Sequence, residues 1–341
     1  MKTARVAING LGRIGRQFFK LSLDRPELQI VAVNDLGDEE NLAYLLKYDS
    51  VYGRWNHEVK SQGRTLVIDG REIEFLQEKE PGKLPWRDLN IDVVVESTGF
   101  FESYAKARAH LDAGAKRVVI TAPAKDEPPS GIEGATVLLG VNEEKFKTCQ
   151  ITSNGSCTTN AASPVIQIMH ETVGIEKALL NTVHGYTATQ ALVDRPSPHD
   201  FRRGRAAGVN IVPSTTGAAT AVTEAIEELA GKFDGMAMRV PTITGSIADI
   251  TFIAKRATSK DEINKIFKKA AGETRWQGIM RVTEDPIVST DIVGDTHAAI
   301  IDLPFTEVIG GNLCRVLSWY DNEMGYTNTL VEHVVRMARH I

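Results

Sequence analysis

The chain has 341 residues, with 39 Lys and Arg against 44 Asp and Glu and a formal net charge of −5. At roughly 150 residues per domain this length points to about two domains, each able to bury its own core. An acidic chain has no broad attraction for nucleic acid or anionic lipid, and no stretch reaches the roughly 18 apolar residues of a membrane helix. Residues 1–5 run into Val6-Ala7-Ile8 and polar Asn9, an apolar run too short for a secretory leader. Cys149, Cys157 and Cys314 are too few and too widely spaced for a disulfide framework or a zinc site. They fit a reducing cytoplasm, and no metal is expected.

A β-prone run over 4–9 ends in Gly10-Leu11-Gly12-Arg13-Ile14-Gly15, followed by a helical period over 16–23 and a second strand over 28–34 that stops on Asp35. Strand, glycine turn, helix, strand and acidic end within one such unit predict a dinucleotide site. Gly10 permits the turn, Gly12 admits a pyrophosphate to the backbone, and Gly15 lets the helix lie on the sheet. Asp35 is placed to accept the adenosine ribose hydroxyls, and Leu36 beside it offers no cation for a 2′-phosphate, which favours NAD over NADP. A glycine turn without a ligand is the plain alternative.

Residues 64–68 and 72–76 flank Asp69-Gly70, a hairpin signal. Runs over 92–96, 117–121 and 136–139 have the near-continuous apolar character of buried parallel strands, with an amphipathic helix over 102–113 between the first two. This is the pattern of an α/β, doubly wound Rossmann-type domain. Its loops at 97–99 and 121–123 are expected to line the cofactor site.

Residues 150–154 lead into Gly155-Ser156-Cys157-Thr158-Thr159-Asn160 and a helix that runs to Gly174. Cys157 therefore opens a helix, where the dipole and unpaired N–H groups favour a thiolate and can cradle an oxyanion. His184 follows 27 positions later, the residue type that activates such a thiol, although spacing alone does not bring the two together. Beyond it come a long loop over 190–209, a helix over 215–230, strands over 238–240 and 247–254, a helix over 260–271, strands over 297–303 and 313–319, and a last helix over 325–340. This second half reads as an α+β domain with a mixed sheet. The basic run Phe201-Arg202-Arg203-Gly204-Arg205 has a rival reading as a nucleic-acid patch, which the acidic remainder of the chain disfavours.

Six segments occur in order: 10–15, Leu45-Leu46-Lys47-Tyr48-Asp49-Ser50, Thr121-Ala122-Pro123-Ala124-Lys125, Ser156-Cys157-Thr158-Thr159-Asn160, His184-Gly185-Tyr186-Thr187-Ala188-Thr189-Gln190 and Trp319-Tyr320-Asp321-Asn322-Glu323. Together they resemble the phosphorylating glyceraldehyde-3-phosphate dehydrogenases, from the first strand to the last helix. The resemblance implies an NAD-binding domain over 1–156, completed by the terminal helix at 322–341, and a catalytic domain over 157–321. It implies Cys157 as nucleophile and His184 as base. Ser156, Thr158, Thr216 and Gly217 would hold the attacking phosphate, and Thr187, Arg202 and Arg239 the phosphate of the substrate. Arg203 is the alternative to Arg202 if the register is displaced by one. Gly10, Gly12, Arg13, Ile14, Gly15, Asp35, Lys79, Thr121 and Asn322 would hold NAD, and four copies of the chain would assemble.

Departures from the family pattern fall at Gly155, Ala161, Arg195, Thr220, Ile243-Thr244-Gly245 and Met324. None removes a catalytic group. Two other readings stay open here: an erythrose-4-phosphate dehydrogenase, which hydrolyses its thioester, and an inactive relative that only binds nucleotide.

Overall fold

The computed structural model describes residues 3–198 and 200–341. They form two units. The first comprises the described residues of 1–137 with 143–155 and 327–341, and the second comprises 138–142 with 156–326.

The first unit holds β1 (Ala4–Asn9), α1 (Arg13–Ser22), β2 (Leu28–Asn34), α2 (Glu39–Lys47), β3 (Tyr48–Asp49), β4 (Gly53–Arg54), β5 (Val59–Ser61), β6 (Thr65–Ile68), β7 (Arg71–Leu76), β8 (Val93–Glu96), α3 (Tyr104–Asp112), β9 (Arg117–Ile120), β10 (Gly134–Thr136) and β11 (Ile151–Ser153). Its main sheet runs β10-β11-β9-β8-β1-β2-β7-β6-β5, while β3 and β4 pair apart. From β10 to β7 every pairing is parallel, and β6 and β5 add antiparallel strands at one edge. Val93, Val94 and Val95 are wholly buried, as strands covered on both faces require. The chain leaves β1 for β2 on one side and returns at β8 on the other. The carboxyl ends of β1 and β8 thus mark the switch point where ligands of such sheets bind.

Most elements stand where the periodicity places them, with informative differences. The strand expected over 136–139 is β10, Gly134–Thr136. Asn142 Oδ1 takes the Leu138 N–H at 2.9 Å, so the apolar run leaves the sheet while staying buried. Helix α1 starts at Arg13 rather than 16, directly after the extended N-cap Gly12. Neither α2 nor β5 is expected from the sequence. Asp38 caps α2 by accepting from Asn41 N at 2.8 Å.

The second unit contains α4 (Cys157–Thr172), β12 (Ile175–Gly185), β13 (Val212–Thr215), α5 (Ala218–Ala225), β14 (Phe233–Val240), β15 (Ser246–Ala254), α6 (Lys260–Ala271), β16 (Met280–Thr283), β17 (Ala299–Asp302), β18 (Glu307–Ile309) and β19 (Leu313–Tyr320). Its mixed sheet runs β13-β14-β12-β15-β19-β17-β16, with β18 on β19. Along β12, Leu180, Thr182 and His184 are buried while Leu179 is exposed, the period-two pattern of a sheet with one covered face. Helix α4 packs on that inner face against β12, β15 and β19.

The helix expected over 215–230 is shorter. Thr215 pairs with Met236 in the sheet, α5 spans Ala218–Ala225, and Ile226 leaves helical geometry before a single 3-10 turn. The strand expected over 238–240 extends back to Phe233 because it pairs along its whole length with β12. Strands β13, β16 and β18 are not expected from the sequence, and the loop over 190–209 contains two short 3-10 turns. The last helix, α7 (Met324–Ala338), belongs from Thr327 onward to the first unit.

Candidate active site

The glycine turn follows β1 at the switch point. Gly10 has φ +100°, and a Cβ there would lie 2.7 Å from the backbone of Ser97 and Thr98. A Cβ on Gly15 would lie 2.0 Å from the Gly10 carbonyl, so both glycines are required by the fold itself. Gly12 differs: a Cβ would meet nothing within 4 Å. The protein leaves open the space that a pyrophosphate needs, beside a helix start that no side chain caps. Asp35 accepts Leu11 N on Oδ2 at 2.6 Å and Gly37 N on Oδ1 at 2.8 Å, which fixes the carboxylate and leaves further lone pairs for ribose hydroxyls. A cavity of about 370 Å³ runs past Asn34, Asp35, Leu36, Lys79, Thr98 and Phe100. These features fit a dinucleotide.

Arg13 is held differently from a ligand-facing arginine. Its guanidinium donates to Asp49 Oδ2 at 2.8 Å. Burial alone would raise Asp49, but the N–H groups of Val51 and Tyr52 and the charge of Arg13 outweigh it and hold the carboxyl below its usual range. That ion pair commits the Arg13 guanidinium to Asp49 and leaves the turn backbone at Arg13 and Ile14 as the group there that could meet a pyrophosphate. Thr121 N donates to the Glu96 carbonyl at 3.0 Å, in the loop after β9.

In the second unit Cys157 is the first residue of α4. Ser156 caps that helix by a reciprocal arrangement: its side chain accepts from Thr159 N, and the Thr159 side chain accepts from Ser156 N. Cys157 Sγ lies 3.3 Å from His184 Nε2. The pairing of β12 with β14 sets His184 beside Arg239, so the sheet register assembles this corner. Two groups meet His184 Nδ1: the Gly185 carbonyl at 2.6 Å and Arg239 Nη1 at 2.5 Å. The carbonyl calls for a proton on Nδ1 and leaves Nε2 able to accept from the thiol; the guanidinium calls for the opposite tautomer.

Burial, and then the charge of Arg239, draw His184 down to about 3, so its imidazole is neutral. Burial pushes the Cys157 thiol up, opposed by Arg239 and by hydrogen bonds from Thr158. Burial thus opposes the thiolate that a helix start favours, while the Arg239 guanidinium and Thr158 support it.

Of the expected phosphate ligands, Ser156 and Thr158 stand at the start of α4, Thr187 follows β12, Arg202 lies in the 3-10 turn Phe201–Gly204, and Thr216 and Gly217 follow β13. Thr216 Oγ1 accepts from Ala218 N at 3.2 Å, and Gly217 is the N-cap of α5. Thr187 Oγ1 pairs with Thr189 Oγ1 at 2.9 Å. The Arg203 guanidinium is committed to Ser214 Oγ, at 2.7 and 3.1 Å, and to Asp200. Among the described residues the Arg202 guanidinium has no partner, which leaves it available for a ligand where Arg203 is not. Asn322 is 6% exposed; its Oδ1 accepts from Thr244 Oγ1, Gly245 N and Ser246 Oγ at 2.9 to 3.2 Å. Gly245 N and Ser246 Oγ fix the amide orientation, with the Thr244 hydroxyl shared between Asn322 Oδ1 and Asp321 Oδ1, and among the described residues Nδ2 has no partner.

Comparison with known proteins decides the family. The model for the glyceraldehyde 3-phosphate dehydrogenase NAD-binding domain matches residues 4–104, and that for the C-terminal domain matches 156–322. Glyceraldehyde-3-phosphate dehydrogenase 2 of Streptomyces avermitilis is 47% identical over 336 residues, 98% of each chain. The glyceraldehyde-3-phosphate dehydrogenase of Mycobacterium avium is 48% identical over 345 residues, 99% of each chain. Glyceraldehyde-3-phosphate dehydrogenase 3 of Saccharomyces cerevisiae is 44% identical over 337 residues, 98% of this chain and 99% of the yeast one.

The chain belongs to the glyceraldehyde-3-phosphate dehydrogenase family. It is an oxidoreductase with the NAD-binding domain of that family. Within this glyceraldehyde-3-phosphate dehydrogenase fold, three features go beyond what the motifs alone expose. Asp49, in the segment 45–50, anchors Arg13 under the nucleotide turn. The atypical Thr244-Gly245 pair grips Asn322, and Gly245, at φ +94°, has no room for a Cβ, which would lie 2.6 Å from the Ser289 carbonyl. Tyr320 sits edge-on to His184, ring centroids 5.9 Å apart, and hydrogen-bonds Thr158 and Thr182. Its only sequence signal is its place in the 319–323 segment.

Proposed function

We propose that the chain is the NAD-dependent, phosphorylating enzyme of glycolysis and gluconeogenesis, which converts D-glyceraldehyde 3-phosphate and inorganic phosphate to 1,3-bisphosphoglycerate. The observation that carries this reading is the 3.3 Å contact between Cys157 Sγ and His184 Nε2 at the start of α4.

With Nδ1–H donated to the Gly185 carbonyl, His184 takes the thiol proton on Nε2. The thiolate then attacks the aldehyde carbon, and the imidazolium stabilises the alkoxide of the thiohemiacetal. Arg239 favours the other tautomer while it rests on Nδ1. Drawing its guanidinium onto the substrate phosphate, beside Thr187 and Arg202, releases the ring to the working tautomer. NAD supplies the hydride acceptor that turns the thiohemiacetal into a thioester. Gly10, Gly12, Gly15 and the turn backbone at Arg13 and Ile14 would receive its pyrophosphate, with Asp35 on the ribose and Lys79 and Thr121 nearby. Asn322 Nδ2 would hold the carboxamide. Inorganic phosphate, held by Ser156, Thr158, Thr216 and Gly217, attacks the thioester carbonyl and expels the Cys157 thiolate, which conserves the oxidation energy as an acyl phosphate.

We assign 1–156 with 322–341 to the NAD-binding domain and 157–321 to the catalytic domain. We also infer a homotetramer in the cytoplasm. Leu179, Met236 and Leu313 expose apolar surface on the outer face of the second sheet, and among the described residues the side-chain oxygens Asn181 Oδ1 and Asp249 Oδ1 on the same face lack partners. Three free cysteines fit a reducing compartment.

NADH formation from glyceraldehyde 3-phosphate, with and without phosphate, tests the reading. Sustained turnover that needs phosphate is expected. Turnover indifferent to phosphate and faster on erythrose 4-phosphate would replace it with the hydrolytic reaction.

A further inference from the structure

Tyr320 closes β19 on the inner face of the second sheet and is 1% exposed. Its phenol oxygen lies 2.8 Å from Thr158 Oγ1 and 2.7 Å from Thr182 Oγ1. A phenol has one proton and cannot donate to both. Thr182 Oγ1 also donates to the Ile247 carbonyl, at 3.2 Å, so its oxygen accepts from Tyr320 and Tyr320 in turn accepts from Thr158. The hydroxyls point one way, from Thr158 through Tyr320 and Thr182 to the backbone.

In that direction the Thr158 proton faces Tyr320 rather than the neighbouring Cys157 sulfur, and only lone pairs remain for a ligand. Phosphate oxygens need donors. Rotation of the three hydroxyl protons reverses the chain without moving a heavy atom. Thr182 then donates to Tyr320 and Tyr320 to Thr158, and the Thr158 proton turns outward. The bond surrendered is the 3.2 Å contact to Ile247, the longest of the series. Burial pushes the Tyr320 phenol well above its usual range, which keeps it a neutral donor throughout.

We propose that Tyr320 and Thr182 are positioning residues for the attacking phosphate: a reversible hydroxyl relay that turns the Thr158 proton onto the anion when it arrives. The proposal rests on the reading of Thr158 as a ligand of that phosphate. It assigns the relay to thioester phosphorolysis and not to the oxidation that precedes it.

The test uses the complete enzyme with NAD and measures two things, the NADH burst of the first turnover without added phosphate and the KM for phosphate in steady state. Tyr320→Phe removes the central hydroxyl and keeps the ring against His184. Thr182→Val removes the far end at nearly constant shape and touches neither Thr158 nor the ring. Each variant is expected to raise the phosphate KM roughly tenfold, the worth of one hydrogen bond to a charged group, with little change in the burst. Thr182→Ser should restore the wild-type KM. An unchanged phosphate KM in both variants overturns the relay, as does a burst slowed as much as the KM is raised, which marks a packing role beside His184. Wild-type turnover that ignores phosphate would instead overturn the proposed function, so the two failures are separable.

Discussion

Gly12 and Gly15 stand in one turn for different reasons, and substitution separates them. Gly15→Ala forces a Cβ against the Gly10 carbonyl at 2.0 Å and is expected to cost roughly 1–3 kcal/mol of stability, read as a lower urea midpoint. Gly12→Ala meets only open space, so the midpoint should hold while NAD affinity falls by roughly tenfold, because the clash is with the ligand. Equal midpoints in the two variants would contradict this division. At the thiol, Arg239 is the foremost influence lowering a Cys157 that burial has raised. In Arg239→Ala the thiolate loses that support. The apparent pKa for iodoacetamide alkylation should then rise, slowing the reaction at neutral pH. An unchanged pH profile would remove Arg239 from this role. Gly10, Asp35, Cys157 and His184 are legible in sequence because each is announced by its immediate neighbours. Tyr320 is not: its partners Thr158 and Thr182 lie far away along the chain, and only strand register and helix packing bring them together.

At the scale of elements, α7 is tied down by a buried histidine. His333 Nε2 lies 2.7 Å from Thr152 Oγ1 and Nδ1 3.1 Å from Asn154 Oδ1, with Phe146 edge-on to the ring and Arg336 nearby. Burial, and then the charge of Arg336, draw His333 down to about 3. The unfolded chain therefore takes up a proton first, as pH falls through about 6.5. Stability should be at its full value above that pH and decline toward pH 3, by up to about 1.4 kcal/mol per pH unit for this group, with buried His184 adding to the slope. His333→Gln should flatten the decline in urea midpoint between pH 7 and 5; an identical slope would show that the acid sensitivity arises elsewhere. The face of α7 read from the sequence, Leu330, Val334, Val335 and Met337, is buried, because helical periodicity is a local signal. The 215–230 helix is where that signal misleads. Pairing of Thr215 with Met236 overrides helical period at one end, and the non-helical backbone at Ile226 ends it at the other.

For the whole molecule, assembly and chemistry are the two claims to test. The homotetramer proposed from the family resemblance predicts a species of four 37.3 kDa chains by light scattering, and if the outer sheet face with Leu179, Met236 and Leu313 is one of its interfaces, Met236→Glu should shift it to smaller species. A 37.3 kDa monomer at micromolar concentration would contradict it. The two-domain α/β reading was available from alternating strand and helix signals, and the six ordered segments carried the family. Sequence could not show that Cys157 and His184 touch, since that contact depends on α4 lying across β12. The most direct measurement of the central claim is mass spectrometry of the enzyme after one turnover with NAD and glyceraldehyde 3-phosphate in phosphate-free buffer. The predicted result is a phosphoglyceroyl adduct on the peptide bearing Cys157, discharged on adding phosphate. An adduct on Cys149 or Cys314, or NADH formed at a stoichiometric burst with Cys157 unmodified, would contradict it.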